Sequence, residues 1–422
     1  MSKFQNGVFW VSAAAATAAV AYATYMLMSR PKKVSDEKPK KAQKTPAEDG
    51  FYMPAEWEPH ECTWMAWPHR PDNWRRGGGG GAEGEEEGAP RPAQLAFADV
   101  ARAIARFEPV KMLVGRAHLA AARALLGGHP GVELIEMETD DAWCRDTGPL
   151  FLVNGSTAEK RGVDFEFNSW GGKDDGCYYP YDKDNAVAGQ VLALAGARRH
   201  KSPMVLEGGS VHFDGEGTCL TTEECLLNPN RNPGMTRAQI EGELRACLGV
   251  EKVIWLKKGC VNDDDTNGHI DNFACFVKPG HVLLHWTDDT TDPQHEISMD
   301  ALNVLKNSTD AKGRRLQVHK IPIPGPLYST AEEVEGVENQ GTAVERRAGE
   351  RLAGSYVNFY LPTGGVVVPG FGVPQDAPAV AVLRELFPDR EVIQVPSREI
   401  LLGGGNIHCI TQQQPRYPLL KK

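Results

Sequence analysis

Five ionisable side chains stand beside turn residues, mostly at the predicted ends of strands, where folding can bring them together. They are Asp146 in WCRDTGP, Glu207 in LEGGS, His269 and Asp271 in NGHID, and Cys409 in GGGNIHC. Glycines near each of them permit sharp turns and close backbone approach. The cysteine follows an apolar run at 400–402, which we predict to be a short buried strand. A cysteine just past such a turn is placed at the mouth of a fold, where a thiolate can attack a substrate.

This set of residue types fits the chemistry of a guanidinium group. A carboxylate binds a planar guanidinium through two parallel hydrogen bonds, so two carboxylates would fix its plane and leave the central carbon facing a sulfur atom. A histidine near the sulfur would favour the thiolate and then serve as general acid and base. A glutamate behind the histidine would hold its charge and orientation. His269 and Asp271 alternate along a predicted strand, which would direct both to one face.

Each residue also has a purely structural reading. Asp146 beside a Gly-Pro break could cap a turn, and Cys409 could be a buried core cysteine. The acidic run at 263–265 is typical of a solvated surface. These readings explain single residues, whereas the guanidinium interpretation explains the whole set.

Taken together, the motifs identify a family. The chain resembles the agmatine deiminases of the guanidine-modifying pentein superfamily in WCRDTGP, EGGSVHFDGEGT, DTNGHIDN, GGGNIHCITQQQP and the initial MPAEWEPHECTWMAWPHRPDNWR. The resemblance runs in order from about residue 51 to 416. It implies a five-bladed α/β propeller (pentein fold) of ββαβ-type units with the active site on its central axis. It also implies a homodimer that makes N-carbamoylputrescine and ammonia from agmatine, for putrescine and polyamine biosynthesis, through a covalent amidino-cysteine and without a cofactor or metal.

The resemblance also implies a role for each residue of the set. Cys409 matches the nucleophile and His269 the general acid and base. Asp146 and Asp271 match the carboxylates that bind the guanidinium. Glu207 matches the glutamate that supports the histidine.

Three further residues are candidates for binding the substrate. By the same resemblance, Asp265 contacts the substrate and Trp143 flanks it as an apolar wall. Asp72, in the tryptophan-rich segment, is a weaker candidate for the distal amine. We assign no role to the remaining histidines, including His408.

Alternative functions remain open at this point. A peptidyl-arginine or free-arginine deiminase would use the same chemistry and differ only where the far end of the substrate binds. A metallohydrolase could use His269, Asp271 and Asp265, and a binding module would release no ammonia.

Composition narrows the class of protein. The chain has 422 residues, enough for a large core, and a net charge of -10, which argues against nucleic-acid binding. Its nine cysteines are scattered without a CxxC pair, which fits a reducing compartment better than a disulfide framework or a zinc ribbon. No nucleotide-binding glycine motif follows a predicted strand.

The termini and inserts suggest three regions around the catalytic domain. Residues 8–28 form an uncharged apolar run long enough to span a bilayer. The basic residues that follow predict an anchor within segment 1–28 that keeps the rest of the chain on the cytosolic face of a membrane. The alternative is a removable targeting segment, leading to a plastid or mitochondrion. Residues 29–50 read as a flexible linker and 51–418 as the catalytic domain. Within that domain, residues 77–92 read as a disordered Gly/Glu-rich surface insert whose flanks meet.

Hydrophobic periodicity predicts the elements that position the site. Helices are expected at 93–107, 117–126, 184–197, 236–248, 296–307 and 377–387, and strands at 110–114 and 132–137. Hairpins are expected for 273–277 with 281–286 and for 356–361 with 366–369. Helices and hairpins recur in the same order, which supports a repeated α/β architecture.

The N-terminal segment generates one prediction. Deleting residues 1–45 should leave activity intact and make the protein fully soluble, because the segment precedes the predicted catalytic domain. Activity assays and centrifugation of the truncated and full-length proteins would check it. A truncated protein that is soluble but inactive would show that the segment belongs to the fold.

Overall fold

The computed structural model describes residues 44–77, 90–338 and 341–417. The chain divides into two units, residues 1–44 and 45–422, and every element below belongs to the second. The predicted anchor at 8–28 lies outside the described residues, as do most of the linker and residues 78–89 of the insert. No helix within the described ranges is long and apolar enough to cross a membrane.

Small sheets of two to four strands make up the described fold. Seventeen strands are present: β1 (His60–Ala66), β2 (Val110–Val114), β3 (Val132–Glu136), β4 (Leu150–Asn154), β5 (Thr157–Glu166), β6 (Arg198–Val205), β7 (Val211–Phe213), β8 (Thr218–Thr222), β9 (Lys252–Leu256), β10 (Ala274–Lys278), β11 (His281–Trp286), β12 (Gln317–Pro322), β13 (Leu327–Tyr328), β14 (Arg351–Leu352), β15 (Gly365–Gly370), β16 (Glu391–Pro396) and β17 (Thr411–Pro415).

Helices connect the strands and cover the sheets. They are α1 (Arg91–Ala105), α2 (Leu119–Leu126), α3 (Cys144–Thr147), α4 (Gly172–Asp175), α5 (Asp182–Leu194), α6 (Glu223–Leu226), α7 (Arg237–Leu248), α8 (Pro293–Lys306), α9 (Ala331–Glu335), α10 (Asp376–Leu386) and α11 (Arg398–Leu402). All six helices predicted from periodicity are confirmed to within about three residues at each end. The bounds of helix α7 are set by local residues. Thr236 and Gln239 form a capping box at its start, and Gly249, at φ 68°, ends it.

Five of the sheets repeat one plan, which confirms the predicted five-bladed α/β propeller. In each blade an antiparallel pair is followed by a helical crossover and a parallel outer strand. The orders are β17-β1-β2-β3, β4-β5-β6, β7-β8-β9 and β10-β11-β12. The fifth blade is β15-β16, extended by an antiparallel bridge between Tyr360 and Val367. The last strand, β17, pairs with β1 and so closes the ring.

Each blade has one inner strand, which belongs to its antiparallel pair. The inner strands are β17, β4, β7, β10 and the Tyr360 segment. A turn precedes each inner strand, namely residues 407–410, helix α3, Gly208–Ser210, Ile270–Asn272 and the segment before Tyr360. β4, β8, β15 and β17 are buried along their whole length, as expected of strands covered on both faces.

Three local predictions were wrong. Residues 400–402 end helix α11 instead of forming a strand, because a three-residue apolar run has no period that separates the two structures. The hairpin predicted for 356–361 reduces to the single Tyr360–Val367 bridge, since β15 pairs mainly with the distant β16. The globular unit begins at Thr45, before the predicted boundary at residue 51, because Ala47–Asp49 form a 3-10 turn and Asp49 pairs with Arg161.

Other predictions agree with the structure. Gly77 and Arg91 flank the insert, and a Cβ at Gly77 would lie 3.3 Å from the Arg91 Cβ, so the flanks do meet. Arg91 and Pro92 themselves begin α1, and that end of the predicted insert is therefore helical. All nine cysteines are free thiols.

A buried carboxylate joins the first and fifth blades. Glu108 Oε1 accepts hydrogen bonds from Thr63 at 2.6 Å, His60 at 3.0 Å and Tyr360 at 3.1 Å, and its Oε2 accepts one from the Thr363 N–H at 2.7 Å. Burial opposes ionisation of Glu108, yet these partners lower its pKa to about 2. The charged form is therefore the one that the fold stabilises.

Replacing Glu108 by Gln should destabilise the protein by about 3 kcal/mol at pH 7, because it leaves buried donors without an ionised acceptor. The folded pKa lies below the ordinary 4.5. The stabilisation is therefore complete above pH 4.5 and is lost as the pH falls toward 2. Urea denaturation followed by tryptophan fluorescence at pH 7 and pH 3.5 would measure both effects.

The matched control is Glu391→Gln, which removes a carboxylate that pairs with Arg106 on the surface. It should change the free energy of unfolding by less than about 0.5 kcal/mol. Equal denaturation midpoints for the two variants would contradict the role given to Glu108.

Candidate active site

The structure brings all five predicted residues of the set together at the starts of the inner strands. Asp146 lies in α3 before β4, and Glu207 precedes β7. His269 precedes the turn before β10 and Asp271 lies within it, and Cys409 precedes β17. Each is at most 6% exposed. The sulfur is therefore enclosed, and the prediction that it lies at the mouth of the fold was wrong.

His269 and Asp271 reach the site by a route that differs from the predicted one. They do not alternate on a strand, because Ile270–Asn272 form a 3-10 turn and β10 starts only at Ala274. Asn267 and Gly268 adopt positive φ angles of 57° and 75° and turn the chain just before His269. This turn directs both side chains inward.

The imidazole of His269 lies among three carboxylates. Its Nδ1 is 3.9 Å from Asp146 Oδ2 and 4.0 Å from Asp271 Oδ1, and its Nε2 is 4.0 Å from Glu207 Oε2. Cys409 Sγ lies 3.6 Å from Asp271 Oδ2. Both ring nitrogens, Glu207 Oε2 and Asp271 Oδ1 have no hydrogen-bond partner among the described residues. A bound group with N–H donors and a cationic charge would satisfy the carboxylate oxygens.

Gly209 leaves the space in which these side chains meet. A Cβ at this position would lie 2.7 Å from His269 Nδ1 and 2.9 Å from both Asp146 Oδ1 and Asp271 Oδ2. The Gly209 N–H also donates to Asp146 Oδ1 at 2.8 Å. The second glycine of the EGGS motif is therefore required by close approach of the backbone to the site.

The surrounding carboxylates set the charge of His269. Burial disfavours the imidazolium, but Asp146, Cys225 and Glu207 raise the pKa of His269 to about 10. Burial, with Asp271 and Glu207, raises the pKa of Asp146 to about 6 against the effect of His269. At neutral pH the site therefore holds a protonated histidine beside ionised carboxylates.

The surroundings of Cys409 favour its neutral thiol. Burial, together with the nearby Asp271 and Asp146, raises its pKa well above the ordinary value. The Asn358 amide contacts Sγ at 3.2 Å through Nδ2. A bound cation would offset the negative charges that suppress the thiolate.

Glu207 is held by an arginine that sequence analysis missed. Arg231 Nε donates to Glu207 Oε1 at 2.5 Å, and both side chains are fully buried. Arg231 also donates to the Thr266 carbonyl at 3.0 Å. The carboxylate of Glu207 is thereby fixed with Oε2 toward His269.

A cavity of about 370 Å³ leads to this centre. Asp146 and Cys409 line its inner end, and Asp271 lies next to them, with its Oδ2 3.6 Å from Cys409 Sγ. Trp143 and Trp170 form the sides of the cavity, which is where the predicted apolar wall beside the substrate would lie. The Trp143 ring stacks on Trp74 at 5.1 Å, and Trp170 Nε1 donates to Asp146 Oδ2 at 2.9 Å.

The outer end of the cavity carries an ion pair. Arg346 Nη1 lies 2.6 Å from Asp265 Oδ2, and Arg346 Nη2 donates to the Gly403 carbonyl at 2.8 Å. Asp265 thus lines the cavity, and its contact with substrate stays a prediction. Asp72 does not line it, because its carboxylate binds Arg70 and the backbone N–H groups of the segment at 342–343. The amine-binding role suggested for Asp72 was wrong.

The acidic run at 263–265 is not a uniformly solvated surface. Asp263 is 5% exposed and accepts hydrogen bonds from Thr266 and Asn272. Only Asp264 is exposed, and a charge run gives no sign of which member turns inward.

His408 and Glu56 contact the site and had no predicted role. His408 binds Asp271 Oδ2 at 2.8 Å through Nδ1 and Glu56 Oε2 at 2.9 Å through Nε2. Both lie inside motifs that were quoted for the resemblance, directly before Cys409 and in MPAEWEP. Adjacency to the cysteine was the available signal, but Glu56 is 352 positions from His408 and no local pattern connects them.

The ligand set of the metallohydrolase alternative does not form. Asp265 is bound by Arg346, and Asp271 is bound by His408. In the described part of the chain, metal-ligand spacing occurs instead in Glu56/His212/His408 and in Glu207/Cys225/His269. In both groups a carboxylate is already paired with a cationic or N–H partner, His408 or Arg231.

Comparisons with known proteins agree with this geometry. A family model described as Porphyromonas-type peptidyl-arginine deiminase matches residues 52–415. Agmatine deiminases of Ectopseudomonas mendocina (strain ymp) and Pseudomonas aeruginosa (strain LESB58) are each 54% identical over 372 residues, covering 88% of this chain and 97% of the relative. A solved structure of the agmatine deiminase of Enterococcus faecalis is 41% identical with a TM-score of 0.83, covering 89% of this chain and 98% of that chain.

Gly209→Ala should lower kcat/KM by at least about 10²-fold, because the added methyl group displaces His269 and both aspartates from one another. The fold should persist, since Gly209 has no positive φ angle. Activity assays with circular dichroism would check this. Gly242→Ala is the control, because no atom lies within 4 Å of its Cβ position in α7. It should keep full activity, and equal activities for the two variants would contradict the role of Gly209.

Proposed function

This chain belongs to the Porphyromonas-type peptidyl-arginine deiminase family and, over the same range, to the agmatine deiminases. On that premise we propose that it hydrolyses agmatine to N-carbamoylputrescine and ammonia. The observation that carries the proposal is the convergence of His269, Asp146 and Asp271 around Gly209, with Cys409 Sγ 3.6 Å from Asp271 Oδ2. This arrangement provides a nucleophile, a proton donor and two anionic acceptors for one planar cation.

The first half of the reaction forms the covalent intermediate. Asp146 and Asp271 bind the guanidinium, and its charge offsets theirs, which favours the thiolate of Cys409 as the thiol proton passes to solvent. The sulfur attacks the guanidinium carbon and forms a C–S bond. The imidazolium of His269 donates a proton to one nitrogen, the C–N bond breaks and ammonia leaves. An amidino-cysteine remains, and His269 is now neutral.

The second half consumes one water molecule. Neutral His269 takes a proton from the water as it attacks the same carbon. The C–S bond then breaks, its pair of electrons returns to sulfur, the remaining hydroxyl proton restores the thiol of Cys409, and N-carbamoylputrescine is released. Glu207, fixed by Arg231, stabilises the imidazolium that forms again.

The outer end of the cavity supports agmatine over arginine. Binding an α-carboxylate would require an uncompensated cation, and Arg346, the arginine that lines the cavity, is already paired with Asp265. The second oxygen of Asp265 suits the ammonium group of agmatine. The similarity to relatives named agmatine deiminase also supports this substrate over the arginine alternatives.

Ammonia release from agmatine, free arginine, methylated arginine and an arginyl peptide tests the proposal. We expect turnover of agmatine at a kcat/KM at least about 10²-fold above each other substrate, since two polar contacts differ at the far end. A metal chelator should not change it. Preferred turnover of free arginine or of the peptide would assign the chain to the alternative deiminases, and loss of activity with chelator would assign it to a metallohydrolase.

The cellular setting is also part of the proposal. We infer that residues 8–28 hold the enzyme on the cytosolic face of a membrane, with removal of the segment in an organelle as the alternative. The apolar length of the run and the basic residues after it support the anchor. We further infer a homodimer acting in putrescine and polyamine biosynthesis, from the resemblance to agmatine deiminases.

Cys409→Ala should abolish turnover and keep the binding site, because the carboxylates that bind the guanidinium remain. Agmatine should therefore still raise the melting temperature of this variant. Cys247→Ala, which removes a buried cysteine from α7, should keep turnover. Residual turnover in Cys409→Ala would remove the nucleophile assignment, and a melting temperature unaffected by agmatine would remove the binding assignment.

A further inference from the structure

His408 has carboxylates on both of its ring nitrogens. Asp271 Oδ2 lies 2.8 Å from Nδ1 and Glu56 Oε2 lies 2.9 Å from Nε2. Ionised carboxylates only accept hydrogen bonds, so both nitrogens must carry protons to satisfy both contacts. The arrangement therefore holds His408 as an imidazolium.

The position of this imidazolium sets the orientation of the Asp271 carboxylate. One carboxylate oxygen, Oδ2, is occupied by His408, while Oδ1 has no partner among the described residues and faces His269 at 4.0 Å. The bond to Nδ1 fixes the rotation of the carboxylate and leaves Oδ1 for the substrate.

We propose that His408, kept charged by Glu56, is a positioning residue that holds Asp271 ionised and oriented toward the guanidinium. The inference rests on the proposed function, since it names how one binding group of that reaction is prepared. Neither His408 nor Glu56 touches the reacting atoms, and both act through Asp271.

Charges on the neighbouring groups are consistent with this role. Burial would raise the pKa of Asp271, but the hydrogen bond and charge of His408 lower it below the ordinary value. Burial and Arg145 disfavour the charged form of His408, yet Glu56 and Asp271 raise its pKa. The charge on His408 favours the ionised form of Asp271. The charges on Asp271 and Glu56 in turn favour the imidazolium of His408.

Arg145 and His212 also face His408, and neither favours its protonation. Arg145, from α3, donates to the His408 carbonyl at 3.3 Å and adds positive charge. The His212 ring, from β7, lies 6.3 Å away, and burial lowers its pKa to about 4. The charge of His408 therefore depends on Glu56 and Asp271.

A second cavity borders His408 on the side of Glu56. Glu56, Arg145, His212 and His408 line a cavity of about 290 Å³. The substrate cavity is lined by other residues, including Cys409 and Asp146. The two cavities therefore border His408 and Cys409 separately.

The test compares Glu56→Gln and His408→Asn in agmatine turnover between pH 6 and pH 9. The Glu56→Gln variant keeps an acceptor for His408 and for the Leu361 N–H but loses the charge. The pKa of His408 should then be lower than in wild type, because Asp271 alone remains to favour the charged ring. We expect kcat/KM of Glu56→Gln to approach wild type at pH 6 and to fall by at least about 10-fold by pH 8.5, whereas wild type does not fall.

His408→Asn retains a donor for Asp271 without the charge. Its kcat/KM should be reduced about 10-fold or more across the whole range, mainly through a higher KM, because the affected group binds the guanidinium. Adding Glu56→Gln to His408→Asn should cause no further loss, since Glu56 acts through His408. His285→Asn is the matched control. It removes another buried imidazole, which binds Ser355 and whose pKa burial lowers to about 3, and it should keep the wild-type profile.

A titration that does not depend on turnover separates the two proposals. The ring resonance of His408, identified by its loss in His408→Asn, should show a pKa above about 6.5 in wild type and a lower one in Glu56→Gln. A Glu56→Gln profile parallel to wild type, additive losses in the double variant, or a wild-type His408 pKa at or below that ordinary value would overturn the role of His408. Absence of agmatine turnover in wild type would instead overturn the proposed function, whatever the titration shows.

Discussion

Burial of negative charge is the interaction on which the rest of this structure depends. Three carboxylates meet at the centre of the ring, where few water molecules can solvate them, and each would be costly without a cation or an N–H partner. The structure supplies one to each: the Gly209 N–H and Trp170 to Asp146, Arg231 to Glu207, and His408 to Asp271. What remains unpaired is one face of the cluster, and that face is where a planar cation is proposed to bind.

The repeated fold explains why these groups meet at all. Every inner strand begins near the same point, and the turn before it contributes side chains to the centre. Asn358 comes from the fifth blade in this way, although it was not among the predicted residues. Since the inner strand before which Cys409 lies is the last of the chain, its position depends on the pairing of β17 with β1. The pairing that closes the ring therefore also places the sulfur in the site.

Prediction succeeded where the information was local. Amphipathic periods located the helices, and turn residues between apolar runs located the first hairpin. Glycine-bounded motifs pointed to five residues that the structure brings together. It failed where a short segment takes its structure from distant partners. Residues 400–402 are helical and the segment at 356–361 makes a single bridge, although both read as strands, and neither their length nor their composition separates these outcomes. His408 was passed over for the same reason, because its role comes from Glu56 and Asp271.

The sequence by itself determined which functional groups are present and that glycines stand beside them, and through its motifs it indicated the family and the five-bladed architecture. Only the tertiary structure decided which groups share a space and which of them are charged there. It placed Arg346 against Asp265, turned Asp72 away from the cavity and set His408 between two carboxylates. The physical reason is that burial and charge pairing act between residues hundreds of positions apart. No local pattern in the chain encodes the dielectric environment that results.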